Sequence, residues 1–325
     1  MKFQISLLIG VLALMGLADA AAQSALDRPA MISAKARESL LLDITAAGSR
    51  LVAVGDRGHI LFSDNKGITW QQAQVPVSVM LTSISFPTSK DGWAVGHQGV
   101  ILHTSDAGAS WTVQHANPPG TGDRSGAPLL SVWFADAHRG FAVGAYGYFL
   151  KTVDGGATWV DASHSIANPD GWHLNAVAGT SDGQTVFIVG EHGFIFRSAD
   201  GGISWRELHS PFDGSFFGVS PLAHDLLMVY GLQGRLYRSS DSGESWQQVP
   251  TGISSGLNSA TLLNDGRVVV LGNAGVVLVS DDHGHNFINT PQADRRALLA
   301  ASPLVSSGMV TVGEGGIKII DNKNP

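Results

Sequence analysis

The chain has 325 residues, 44% of them hydrophobic and 14% charged, which describes a folded protein and excludes a disordered one. A formal net charge of −7 argues against non-specific binding to nucleic acid or to anionic membrane surfaces. With no cysteine, disulfides, thiolate metal sites, a cysteine nucleophile and a lipidated N-terminal cysteine are excluded.

The first predicted element is the run "MKFQISLLIGVLALMGLADA". Lys2 supplies a positive flank, residues 5–17 an apolar stretch too short to span a bilayer comfortably, and Ala18, Asp19 and Ala20 a small-x-small cleavage site. This predicts a signal peptide over residues 1–20 and a mature domain over 21–325. The mature chain is expected in the periplasm, with secretion as the alternative and no membrane insertion after cleavage. Forty glycines without a Gly-X-Y period then announce many tight turns.

Beyond the leader the chain repeats itself. A glycine followed three residues later by a second, then by an apolar run, occurs as "VGDRGHILF", "VGHQGVILH", "VGAYGYFLK", "VGEHGFIFR", "YGLQGRLYR", "LGNAGVVLV" and "VGEGGIKII". The first glycines, Gly55, Gly96, Gly144, Gly190, Gly231, Gly272 and Gly313, fall 41, 48, 46, 41, 41 and 41 residues apart. Each unit holds four short β-rich runs separated by turn residues, the pattern of an antiparallel meander. A period near 41 with four strands per unit is the signature of a propeller blade. The predicted fold is therefore all-β, a seven-bladed propeller of four-stranded antiparallel blades. The seventh unit ends in "IKIIDNKNP" before any fourth run. The spacing from Trp70 to Ile84 places "AMISAK" (30–35) at a fourth-strand position, so an N-terminal strand is expected to complete the last blade and close the ring.

Between the third and fourth runs lie the boxes "SDNKGITW", "TSDAGASW", "TVDGGATW", "SADGGISW", "SSDSGESW" and "SDDHGHNF". Asn65 replaces the acid in the first box, and Phe287 replaces the tryptophan in the last. The acids (Asp106, Asp154, Asp200, Asp241 and Asp282) can accept hydrogen bonds inside their own turns. The aromatics (Trp70, Trp111, Trp159, Trp205, Trp246 and Phe287) can fill space between blades. A catalytic pair needs two carboxylates in unlike environments at one place, whereas repetition distributes these around a ring. The boxes are read as structural.

With repeats, boxes and leader together, the chain resembles the BNR/Asp-box propellers and, among them, the photosystem II stability/assembly factor-like family. The segment "GWAVGHQGVILHTSDAGASW" (92–111) carries the likeness most fully. The resemblance implies a non-enzymatic protein that binds a partner during assembly of a membrane complex. Some relatives in non-photosynthetic bacteria are thought to accompany transporters, and photosynthetic members carry an arginine-rich binding patch. No arginine cluster is evident along this acidic chain.

Alternating strand direction places the boxes and the "VGxxG" turns on opposite faces of the disc. The variable turn residues are expected to ring the mouth of the central channel: Asp56 and Arg57, His97 and Gln98, Tyr146, Glu191 and His192, Gln233, Asn273 and Glu314. Two lengthened inter-blade connections, 112–130 and 160–174, project onto the same face with Arg124, His164, Asp170, Trp172 and His173. They predict a wall around blade three, with Trp172 as its anchor.

The competing reading is a carbohydrate-active propeller. A sialidase needs an arginine triad and a tyrosine nucleophile, yet no "FRIP"-type motif is present, and of Tyr146, Tyr148, Tyr230 and Tyr237 only Tyr146 falls on the expected face. Asp56 and Glu314, on neighbouring blades, are the acids that could approach each other. His97, Glu191 and His192 share a face but not adjacent blades, and His283 and His285 lie in a box turn, so no metal site is expected. The sequence thus predicts a monomeric, cofactor-free binder of a protein partner, a membrane protein or transporter on its periplasmic side.

Overall fold

The computed structural model describes residues 24–120, 122, 124–223, 226–304 and 308–320. The predicted signal peptide lies outside the described residues. Seven antiparallel sheets follow one another along the chain. Blade one comprises β1 (Leu41–Ala47), β2 (Arg50–Gly55), β3 (Ile60–Ser63) and β4 (Gln71–Gln72), paired in sequence order. The next five blades repeat this meander, each with four strands.

Burial explains the repeated "AVG" runs. Second strands such as Gly92–Gly96 and Gly140–Gly144 are buried at every residue, because neighbouring blades cover both of their faces. An alternating pattern would place polar groups against a neighbour there, so a continuous apolar run is required. The core accordingly lies between blades: Val52, Ile60 and Phe62 of blade one meet Ile84, Ala94, Leu102 and Trp111 of blade two. Each fully buried aliphatic side chain of this kind contributes about 1.5–3 kcal/mol. The fourth strands are only two residues long and exposed in most blades, which limits the edge offered to other chains.

Ring closure differs from the expectation. Blade seven has three strands among the described residues, β25 (Leu298–Pro303), β26 (Met309–Gly313) and β27 (Gly316–Ile320), and residues 30–35 form no strand. The N-terminal segment runs instead as a strap over blade one. Ala30 N–H donates to Val75 O, Ser33 N–H to Gln72 Oε1, and Ser78 N–H to Ala25 O. The strap ends in a single 3-10 turn, Ala36–Glu38, packed beside β27. Gln72 already occupies the strap's hydrogen-bonding groups, which draws residues 31–33 away from β27. Side-chain packing closes the ring: Trp70, Val310, Val312 and Ala36 share one core cluster, and the glycine of box one, Gly67, sits against Val310.

Candidate binding face

The two faces of the disc separate as topology requires. Box turns hydrogen-bond to the first hairpin turns of their blades (Ala107 N–H to Lys90 O, Gly155 N–H to His138 O, Gly201 N–H to Gln184 O). The "VGxxG" turns pack against the inter-blade connections on the other face. The first glycine marks where the next backbone segment crosses: a Cβ on Gly96 would stand 2.1 Å from Met80 O, and one on Gly144 2.2 Å from Pro128 O.

Every box carries the same internal network. The first hydroxyl donates to the acid and accepts the glycine N–H, as Thr152 Oγ1 does with Asp154 Oδ1 (2.8 Å) and Gly156 N (2.9 Å). The acid then accepts the N–H four residues on, Thr158 for Asp154 and Ser204 for Asp200, both at 2.9 Å. Hydrogen bonds from Ser204 and Ser245 hold Asp200 and Asp241 down at about 2, so both stay ionised as turn acceptors. Asn65 fits because its amide oxygen accepts Thr69 N–H in the same way (2.9 Å). Trp111 is buried, and Trp159, Trp205, Trp246 and Phe287 are packed against the core clusters between blades.

On the opposite face the variable turn residues stand farther out than expected. The channel cavity, about 300 Å³, is lined by first-strand residues such as Asp43, Ser83, Ser131, Asn175 and Asn258, because the first strand of a meander is innermost and the second-to-third turns lie beyond it. Six turns hold a non-glycine residue in the left-handed region: Arg57, Gln98, Tyr146, His192, Gln233 and Ala274, at φ 52–58°. Such conformations cost on the order of 1 kcal/mol each and persist where surrounding contacts impose them.

The preceding turn residue leans on the backbone that enters the blade. Glu191 Oε2 accepts His173 N–H (2.8 Å) and Glu314 Oε2 accepts Ala297 N–H (3.0 Å), whereas Asp56 Oδ1 accepts Arg57 N–H (2.8 Å) inside its own turn. Asp56 and Glu314 are thus engaged as backbone acceptors. Asn273 accepts Asn258 Nδ2 (2.9 Å). His97 and Gln233 are exposed, and Gln98 has its side-chain oxygen buried without a hydrogen-bond partner.

Only blades three and four draw the predicted residues together. Trp172 packs on His192 with ring centroids 3.8 Å apart and planes tilted by 39°, and Tyr146, 58% exposed, meets His173 edge-on at 5.0 Å. His173 Nδ1 is 3.3 Å from Glu191 Oε2. Arg124 joins the two long connections: its Nε donates to Tyr146 O (3.2 Å) and its Nη1 pairs with Asp161 (3.1 Å). Beside them opens a cleft of about 730 Å³ lined by Arg124, Asp161, His164, Ile166, Asn168 and Pro169. Asp170 is exposed at its rim loop.

Sequence reasoning missed the layer beneath this wall. Tyr148 OH lies 3.1 Å from His115 Nε2; burial, then Asp161, pushes the phenol up to about 12, and burial pushes the imidazole down, so the pair is neutral. It also missed a crossing in blade seven, where Lys318 is ion-paired with Asp294. Arg296 and Lys318 flank Gly315, and the Arg37 backbone crosses Gly316, residues remote in sequence that the ring brings together. Among the described residues no group of three or more His, Cys, Asp or Glu is placed to hold a metal ion. Nor is any helix among them long and apolar enough to cross a membrane.

Seven meander blades with Asp boxes on one face and a mixed polar and aromatic wall on the other define an Asp-box β-propeller. The chain belongs to the family described as photosynthesis system II assembly factor YCF48, which matches residues 34–126 and 121–267. A 64-residue stretch is 39% identical to the photosystem II stability/assembly factor HCF136 of rice, covering 18% of this chain and 15% of that protein. The solved structure of YCF48 bound to D1 peptide superposes with a TM-score of 0.67 at 18% identity, over 86% of this chain and 92% of that one. The GH74 xyloglucanase of Xanthomonas campestris shares the fold as well, with a TM-score of 0.66 at 12% identity over 89% of this chain and 52% of the enzyme. The fold therefore serves binders and hydrolases alike, and the decision rests on the site.

Proposed function

We propose that this chain is an exported, non-enzymatic propeller that binds a protein partner, acting as an assembly or stability factor, or as an accessory subunit, for a membrane protein complex or transporter on the periplasmic side. The observation that carries the reading is the continuous wall from Arg124 through Tyr146 and His173 to Trp172 and His192. Membership of an assembly-factor family supports it, as does a relative solved with a peptide bound. Large, stiff aromatics beside arginine are the residues on which protein interfaces most often depend. The acids a glycosidase would need at the ring, Glu191, Glu314 and Asp56, are already holding backbone N–H groups.

The test is crosslinking in intact cells followed by identification of the captured protein. Recovery of one membrane protein, reduced at least tenfold in a Trp172→Ala/His192→Ala variant whose melting curve matches the parent, is the expected result. Undiminished capture by that variant would show that the wrong face had been chosen. Glycan hydrolysis abolished by Glu191→Gln or Glu314→Gln would favour the enzyme instead.

A further inference from the structure

About two blades round the ring from the blade-three wall, a second cavity of about 340 Å³ lies where the N-terminal strap passes over blade one. Arg28, Pro29, Met31 and Ser33 line it from the strap, and Arg57, His59 and Ser78 line it from the blade and its connection. We propose that this cavity binds a small organic carboxylate bearing an apolar tail, a ligand separate from the protein partner of the other wall.

Three observations converge on that chemistry. Two arginines, Arg28 and Arg57, line the cavity. Arg28 Nε donates to Ser78 Oγ (3.1 Å), and Arg57 Nε lies 3.4 Å from Asp56 Oδ2, its only ion-pair partner among the described residues. The terminal nitrogens of both arginines make no hydrogen bond among the described residues, and the Arg57 side chain is 77% exposed. Paired guanidiniums with free forks suit a planar carboxylate, which accepts from both. The second observation is His59, which is 5% exposed yet lines the cavity. Its Nδ1 is engaged by Ser39 Oγ (3.1 Å), which fixes the ring and leaves its other nitrogen without a protein partner among the described residues. Ser39 Oγ itself donates to Ala36 O (2.6 Å), so it accepts from His59 Nδ1–H, and the free nitrogen of the neutral ring is an acceptor that can reach a carboxylate headgroup through a bridging water. The third is apolar. Met31 is 75% and Ile32 72% exposed on the strap, with Pro29 beside them, which is surface that a hydrocarbon tail can cover. The cavity is at the small end of ligand sites, which suits a short acid rather than a cofactor.

Occupancy would also tie the strap to blade one. The same strap continues to Ala36, which is 2% exposed in the cluster joining blades one and seven. A ligand that bridges Arg28 and Arg57 therefore stabilises ring closure, and binding raises the melting temperature by linkage.

The experiment titrates full-length mature protein with octanoate, using calorimetry and thermal melts, with octanol and inorganic phosphate as tail-only and headgroup-only probes. Octanoate is expected to bind and raise the melting temperature, with octanol and phosphate at least tenfold weaker. Arg57→Gln is expected to weaken octanoate at least tenfold. Glutamine already occupies the same left-handed turn position at Gln98 and Gln233, so this variant keeps the turn. N-acetylleucine distinguishes sources of the carboxylate. Tighter binding than octanoate assigns the site to a chain terminus, weaker binding to a free alkyl acid, and either supports a carboxylate site. The Trp172→Ala/His192→Ala variant should retain octanoate binding in full, which separates this site from the partner wall. Absence of binding by both acids, or octanoate affinity unchanged in Arg57→Gln, overturns the proposal.

Discussion

Asp43 is the most informative residue to perturb. Its Oδ2 accepts Ile84 N–H at 2.9 Å and Ser83 Oγ at 3.0 Å from blade two, and its Oδ1 accepts Ile44 N–H at 2.8 Å. Serine performs the inter-blade part of this task elsewhere: Ser131 Oγ accepts Val177 N–H at 3.1 Å from the next blade. Burial in the channel wall outweighs these hydrogen bonds and raises the Asp43 carboxyl from 3.8 to about 6. A folded-state value above the unfolded one means that the acid imposes no penalty below about pH 4, where both states are protonated. The penalty grows as pH rises and is complete above about 6. Two pKa units correspond to about 3 kcal/mol, an upper figure because the channel side of the carboxylate still meets solvent. Replacing it by serine removes that penalty but forfeits hydrogen bonds worth about 1 kcal/mol. Asp43→Ser should therefore be about 1 kcal/mol less stable than the parent at pH 4 and about 1–2 kcal/mol more stable at pH 7.5. At roughly 2 °C per kcal/mol for a domain of this size, the two melting curves should cross, with the variant about 2–4 °C higher at pH 7.5. Differential scanning fluorimetry across pH 3.5–8 reads this directly. Parallel curves with a constant offset would refute the argument.

Two further perturbations address the frame. Gly96→Ala drives a Cβ against Met80 O and Leu81 Cα, backbone atoms that cannot step aside, and should cost about 3 kcal/mol or more by urea denaturation; a loss below about 1 kcal/mol would contradict the crossing geometry. Deleting residues 24–36 removes Ala36 and the strap's backbone hydrogen bonds to Val75 and Ser78, and should lower the melting temperature by about 5 °C or more; an unchanged midpoint would mean that the ring closes without the strap.

Much of the architecture was legible along the chain because its causes are local. The box hydroxyl, acid and glycine bond within five residues of one another, so "TVDGGATW" writes its own turn wherever it occurs. The apolar "AVG" runs report burial on both faces, and alternating strand direction then assigns the faces. The blade-three wall was legible in part, since two long connections and Trp172 marked it, but nothing in the spacing foretold the packing of Trp172 on His192. Closure was misread for a definite reason. A strand was inferred from spacing alone, whereas the side chain of Gln72 satisfies Ser33 N–H and Met31 O and so holds the segment on blade one.

By itself, then, the sequence determined seven blades, their strand order, the structural role of the boxes and the face on which variation accumulates. All of these follow from short-range hydrogen bonding and from the periodicity of burial. Only the tertiary structure decided which residues meet: Asp43 with Ser83 in the channel wall, Arg28 and Arg57 lining one cavity, Asp294 with Lys318 in blade seven. The physical reason is that each such site is set by a few ångströms between segments far apart in the chain. A repeat period specifies the frame of those encounters but not the side-chain packing that completes them.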